Sequence, residues 1–149
     1  MHNNTVYEWI LPTFAVHARA KNLQRIDPFL SPLVKPGDQV LNLCCGSGPA
    51  CFFFERYGAR VTGVDSSSDM IALAREEVTR RCSSVELIEA DIFTHDLGRQ
   101  KFDLISCFGN SIVDFPLSEF AELVKRITNA LKPGGRFVLQ YHDRQEATR

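Results

Sequence analysis

The sequence has no apolar run approaching the roughly 20 residues that a membrane-spanning helix needs. Its first residues, MHNNTVYEWILPTF, carry neither the basic stretch nor the long apolar segment of a secretory signal. It also lacks an excess of either charge. Lys and Arg number 17 against 18 Asp and Glu, a formal net charge of -1, so no long-range pull toward nucleic acid or an anionic membrane is expected. Five cysteines, at 44, 45, 51, 82 and 107, are odd in number and lack paired C-x-x-C spacing, which argues against a disulfide framework and a zinc centre. No metal is therefore expected. Small buried thiols in a reducing compartment fit better, and with no export signal the expected location is the cytoplasm. On that reading the Asn3-Asn4-Thr5 glycosylation pattern is chance. Repeats and low-complexity segments are missing too.

What is present is an ordinary globular composition, 44% hydrophobic and 23% charged over 149 residues, enough for one domain with a real core. Residues 1–35 read as an N-terminal helical cap segment. Leu23, Ile26, Leu30, Leu33 and Val34 recur at helical spacings there, interrupted by Pro28 and Pro32. The segment either packs on the sheet or covers a nucleotide site. Lys35-Pro36-Gly37-Asp38 breaks the chain before a core at 36–149.

That core is organised around Val40 to Asp65, VLNLCCGSGPACFFFERYGARVTGVD. A buried strand runs into the turn Cys44-Cys45-Gly46-Ser47-Gly48, a helix leaves it from Pro49 to Tyr57, and a second strand from Arg60 ends on Asp65. Ser66-Ser67-Ser68 offers N-cap hydroxyls to a helix striped by Met70, Ile71, Leu73, Ala74 and Val78. Val85 to Ala90 alternates as a third strand before Asp91, and Phe102 to Phe108 is a fourth. Phe120, Leu123, Val124, Ile127 and Leu131 mark a helix ended by Lys132-Pro133-Gly134-Gly135, and Arg136 to Tyr141 is a fifth strand. Strands alternating with helices predict an α/β fold, a doubly wound parallel sheet with helices on both faces. Ligands of such sheets sit beyond the carboxyl ends of the strands. Asn42 to Gly48, Asp65, Asp91 and Phe108 to Ser111 all fall there.

The turn is neither G-x-G-x-x-G nor a P-loop. Its helix starts Gly48-Pro49, which removes one amide donor that a pyrophosphate would use. A ligand without phosphate tolerates that better. VLNLCCGSG resembles the first motif of class I S-adenosylmethionine-dependent methyltransferases. The resemblance continues through VTGVDSSSDMIALARE, EADIF, FDLISCFGNS and LKPGGRFVL, covering roughly residues 36 to 141. It implies a Rossmann-like sheet of order 3-2-1-4-5 with S-adenosyl-L-methionine as cofactor. By position it places Gly46 and Gly48 against the cofactor's methionine and ribose, with Cys44 in the same turn. Asp65 takes the ribose hydroxyls, with Ser66 and Met70 beside it, and Asp91 takes the adenine amino group with Ile92 on the ring. Phe108 lines the methyl channel. Arg19 is a candidate for the cofactor carboxylate. Asp65 and Asp91 as turn-formers, glycines serving only a tight turn, and Ile92 as core are the plainer alternatives.

Where Asn42 stands the family usually has an acid. An amide in place of a charged acceptor costs about 1 kcal/mol, roughly fivefold in affinity, so Asn42→Asp is expected to tighten binding. The resemblance further implies in-line methyl transfer to a small-molecule acceptor (amine, hydroxyl or carbon) of the kind used by glycine/sarcosine N-methyltransferases, with quinone-type C-methyltransferases a rival subgroup. Asn110 and Arg144 are then candidate substrate contacts. His142 and Asp143 are the nearest candidates for a base, against an ordinary polar turn. The family's strands six and seven have no counterpart after Tyr141, so truncation, or a homodimer through the strand-five edge, is expected. A cofactor-binding fragment without a complete acceptor site, or an NAD-dependent oxidoreductase, is the alternative.

Overall fold

The computed structural model describes residues 23–24, 27–108 and 115–140. Five strands, β1 (Gln39–Leu43), β2 (Arg60–Asp65), β3 (Glu86–Glu89), β4 (Phe102–Cys107) and β5 (Leu131–Leu139), form one sheet of order β3-β2-β1-β4-β5. Every pairing is parallel. The connections carry α1 (Pro49–Arg56), α2 (Ser68–Arg81) and α3 (Leu117–Ala130). This is the α/β order expected of the sequence, and it brings the carboxyl ends of β1 to β4 to one rim.

Alternation along the central strands divides the core. Val40 and Leu104 join Cys51, Phe52, Phe53 and Phe54 of α1 and Ile71 of α2. Leu41, Leu43, Ile105 and Cys107 face the other way and join Leu123, Ile127 and Ala130 of α3, with Ile92 and Leu97 from the β3–β4 connection. Each fully buried Leu, Ile or Phe contributes roughly 1.5–3 kcal/mol, so both helical layers are held mainly by apolar area. Pro49 opens α1 where a helix needs no N–H. Ser67 caps α2 by accepting from the Met70 amide at 3.3 Å, and Arg80 and Arg81 sit at its negative end.

Two element boundaries differ from expectation. Leu131, placed by its spacing at the end of the helical stripe, is extended (φ -75°, ψ 139°) and pairs with Phe102. The segment Lys132-Pro133-Gly134-Gly135, expected to separate helix and strand, lies within β5 as an irregularity, because the next pair is Leu104 with Arg136. Gly134 at φ +78° supplies the left-handed turn this requires. β3 is also shorter than Val85 to Ala90, since the Val85 amide bonds to the Ser83 hydroxyl instead of a neighbouring strand. The expected cap at 1–35 falls largely outside the described residues. Of the described residues of that segment, Leu23, Leu30 and Val34 are buried against the α1 side of the core. No helix among the described residues is long and apolar enough to cross a membrane.

Candidate functional site

The site is built on the loop between β1 and α1. Three of its five residues are left-handed: Cys44 (φ 52°), Gly46 (φ 56°) and Gly48 (φ 96°). The conformation suits glycine and strains cysteine. At Gly48 a Cβ would also meet the Phe52 ring at 3.0 Å. The loop closes on itself and on β2, with the Gly48 amide donating to the Cys45 carbonyl and the Cys45 amide to the Val64 carbonyl, each at 3.0 Å.

Asp65 ties this loop to the next. One carboxylate oxygen accepts from the Gly46 amide at 2.8 Å and the other from the Ser67 amide at 2.9 Å. Each oxygen keeps a second lone pair, so both can accept one further hydroxyl. Asp65 is half-buried, Ser66 is exposed, and Met70, 9% exposed, closes the inner side of the first turn of α2. The Ala90 amide donates to the Asp65 carbonyl at 3.0 Å, which fixes the end of β3 beside it. Asp91 follows, exposed, accepting from the Phe93 amide at 2.8 Å in an Asx turn. Phe108, just past β4, is half-buried and stacks on Phe54 at 6.1 Å. The structure thus brings Cys44, Gly46, Gly48, Asp65, Ser66, Met70, Asp91 and Phe108 to one rim.

The structure corrects the reading of Asn42. Its side chain is 1% exposed. The amide nitrogen donates to the Ser106 hydroxyl at 2.9 Å, and the amide oxygen accepts from the Cys51 thiol at 3.7 Å. Asn42 therefore joins β1, β4 and α1 beneath the loop instead of facing a ligand. Ile92 is 5% exposed and part of the α3-side core, which leaves little of it to lie on a ring. Arg19, Asn110, His142, Asp143 and Arg144 lie outside the described residues.

Gly63, Ser106 and Arg126 were not singled out by the sequence. A Cβ at Gly63 would lie 2.8 Å from the Cys51 sulfur and 3.0 Å from the Cys45 sulfur, so only glycine lets α1 and the loop close on β2. A glycine inside a strand pattern was the available signal. Beside it, a hydrogen bond to Cys51, burial and the Asp65 carboxylate hold the Cys45 thiol far above the ordinary thiol range. Cys45 stays protonated and is no nucleophile.

A glycine-lined left-handed turn clasped by an acid at the neighbouring strand end has the acceptors and the space to receive a group bearing free hydroxyls. Among known proteins, the family described as "Methyltransferase domain" matches residues 40–135. The chain belongs to this methyltransferase family. A solved structure of a Pyrococcus horikoshii OT3 protein is similar to it at 34% identity and a TM-score of 0.85, covering 95% of this chain and 68% of that one. Phosphoethanolamine N-methyltransferase 1 of Triticum aestivum is 30% identical over 77% of this chain and 23% of its own. The coclaurine N-methyltransferase structure, which holds S-adenosylhomocysteine, is 26% identical with a TM-score of 0.69 over 78% of this chain and 34% of that one. Other relatives are named for methylation of ribosomal protein L11 and of 23S rRNA. The chain spans 50%, 23% and 40% of the length of three of the curated relatives it matches. The coclaurine and the Haemonchus contortus phosphoethanolamine methyltransferase structures each hold S-adenosylhomocysteine, the demethylated form of S-adenosylmethionine. The Asp65 lone pairs and the glycine turn fit that molecule, and the helix begun by proline is suited to a ligand lacking phosphate.

Proposed function

We propose that this domain transfers a methyl group from S-adenosylmethionine to a small-molecule acceptor. The observation that carries the reading is the Asp65 carboxylate bridging the Gly46 and Ser67 amides with acceptor capacity to spare. In this reading Asp65 takes the two ribose hydroxyls, Gly46 and Gly48 let the backbone approach the methionine portion, and Asp91 accepts from the adenine amino group. Phe108, braced by Phe54, borders the methyl end. The cofactor supplies a methyl group on a sulfonium, an already activated leaving group. The protein's share is then to hold donor and acceptor in line and exclude water, and no covalent nucleophile is required. His142 or Asp143 would remove a proton from an amine or hydroxyl acceptor, with Asn110 and Arg144 as substrate contacts and Arg19 on the cofactor carboxylate.

A small acceptor is supported by the phosphoethanolamine methyltransferase relatives and by the net charge of -1, which gives RNA no electrostatic footing. The cytoplasm as location is supported by the buried thiols of Cys45 and Cys51. Pairing of two copies through β5 is supported by its half-exposed Phe137, Val138 and Leu139, and light scattering tests it. Titration with S-adenosylhomocysteine and NAD tests the cofactor, the first expected to bind and the second not. Labelled methyl transfer to phosphorylated amines, amino acids, quinols and RNA tests the acceptor. Turnover confined to RNA overturns the small-molecule reading, and binding without turnover on any acceptor favours a cofactor-binding domain that needs further chain.

A further inference from the structure

We infer that Arg126, on α3 and remote from the glycine turn, is the positioning residue of the adenine side of the site. The proposal rests on the reading above that Asp91 accepts from the adenine amino group. From the third turn of α3 its guanidinium donates to two backbone carbonyls of the β3–β4 connection, those of Ile92 and His95. Both residues belong to the turn that Asp91 opens. Inside it, the Asp91 side chain accepts from the Phe93 amide at 2.8 Å, and the Asp91 carbonyl accepts from the Thr94 and His95 amides at 3.2 and 2.8 Å. Asp91 is exposed, and among the described residues no side chain bonds to its carboxylate. Its direction is therefore set by the turn, and the turn is clamped from outside by Arg126.

A guanidinium suits this task because its planar fork reaches two acceptors at once. Charge-assisted bonds to carbonyls are also among the stronger protein hydrogen bonds. The clamp does not act alone. Ile92 is buried in the α3-side core, Phe93 meets Phe115 edge to face at 4.8 Å, and the Gln100 and Lys101 amides donate to the Asn129 and Ala130 carbonyls at 2.8 Å. These contacts hold the connection against α3 without Arg126. Its loss is therefore expected to loosen the Asp91 turn while the domain stays folded. The nucleoside end most affected is the base, because the ribose is assigned to Asp65, which is fastened to the glycine turn and to Ser67.

The test is a comparison of two ligands by calorimetry: S-adenosylhomocysteine, and its inosine counterpart, which has an oxo group in place of the 6-amino donor. The wild-type protein is expected to prefer the first. In Arg126→Met that preference falls by about fivefold, the equivalent of one hydrogen bond. Affinity for the inosine compound is kept, and amide exchange at Phe93 to His95 speeds up. Arg126→Lys, which keeps one charged donor, falls between, and it carries the test if the methionine variant does not fold. An unchanged preference in a folded variant, with Asp91→Ala abolishing it, overturns the role of Arg126 and leaves Asp91 standing. Equal loss for both ligands makes Arg126 merely structural and also overturns it. A wild-type protein that binds S-adenosylhomocysteine but does not discriminate overturns the Asp91 assignment, and the inference with it. Failure to bind S-adenosylhomocysteine at all overturns the function itself.

Discussion

The two halves of the sheet are built differently. In β1 and β2 all residues but Gln39, Arg60, Thr62 and Asp65 are buried, and the loop ends are tied to one another by backbone amides and the Asp65 carboxylate. In β5, at the other edge, no residue is fully buried, β4 is its only partner among the described residues, and its register is broken over Lys132 to Gly135. The difference teaches that cofactor binding needs few neighbours. The β1–α1–β2 unit ties its own loop ends together, while Asn42 and the Gln39 amide bond across to β4.

The largest expected effect breaks the better-buried half at its clasp. Asp65→Ala removes an acceptor for two backbone amides and, in the function proposed above, for the ribose. It should weaken S-adenosylhomocysteine binding by about 3 kcal/mol, roughly 150-fold, in calorimetry. A change below fivefold would separate Asp65 from the ligand. Gly63→Val is next. Its Cβ enters the space of the Cys51 and Cys45 sulfurs, and overpacking of this kind costs about 1–3 kcal/mol. The melting temperature should fall, whereas the same change at Gly134, where nothing lies within 4 Å, strains only the backbone.

Asn42→Leu sharpens the comparison further. It leaves the Ser106 hydroxyl buried without its donor, at a cost of about 1–3 kcal/mol in chemical denaturation. Asn42→Asp, which a direct ligand contact would make bind more tightly, is expected to leave affinity within about twofold of wild type, since a side chain out of contact adds no interaction term. Tighter binding in that variant would put Asn42 back at the ligand.

The smallest effect concerns the link between the halves. On β4, Asp103 accepts from the Gln39 amide of β1 at 2.8 Å and from the Lys132 ammonium of β5 at 3.0 Å. These bonds, the Gln39 amide foremost, hold its carboxyl below its ordinary value of 3.8. The folded value is depressed, so the stabilisation is complete above pH 3.8 and is lost as pH falls through the lower folded value. For a part-exposed pair it amounts to no more than about 1 kcal/mol. Asp103→Asn should flatten that part of the acid-denaturation curve and leave the neutral melting temperature nearly unchanged.

Much of the fold was legible because buried parallel strands read as apolar runs and their helices as stripes at 3.6-residue spacing. The exceptions are instructive. Leu131 continued the α3 stripe in register, and only its pairing with Phe102 made it a strand residue. Of the site, Gly46, Gly48, Asp65 and Asp91 were visible as glycine and acid at strand ends. Asn42 was equally visible and misplaced, because strand periodicity does not say which face carries α1. Arg126 was invisible, since nothing local distinguishes it from a solvated arginine on an amphipathic helix.

The sequence by itself determined the order of strands and helices, the glycine turn and the acids that follow β2 and β3, because these depend on local conformational preference and on residue spacing. Only the tertiary structure decided that Asn42 lies beneath the loop, that Gly63 must be glycine, and that α3 reaches back to hold the turn after Asp91. Each of those is a contact between residues 12 or more positions apart, and such contacts exist only once the chain has packed.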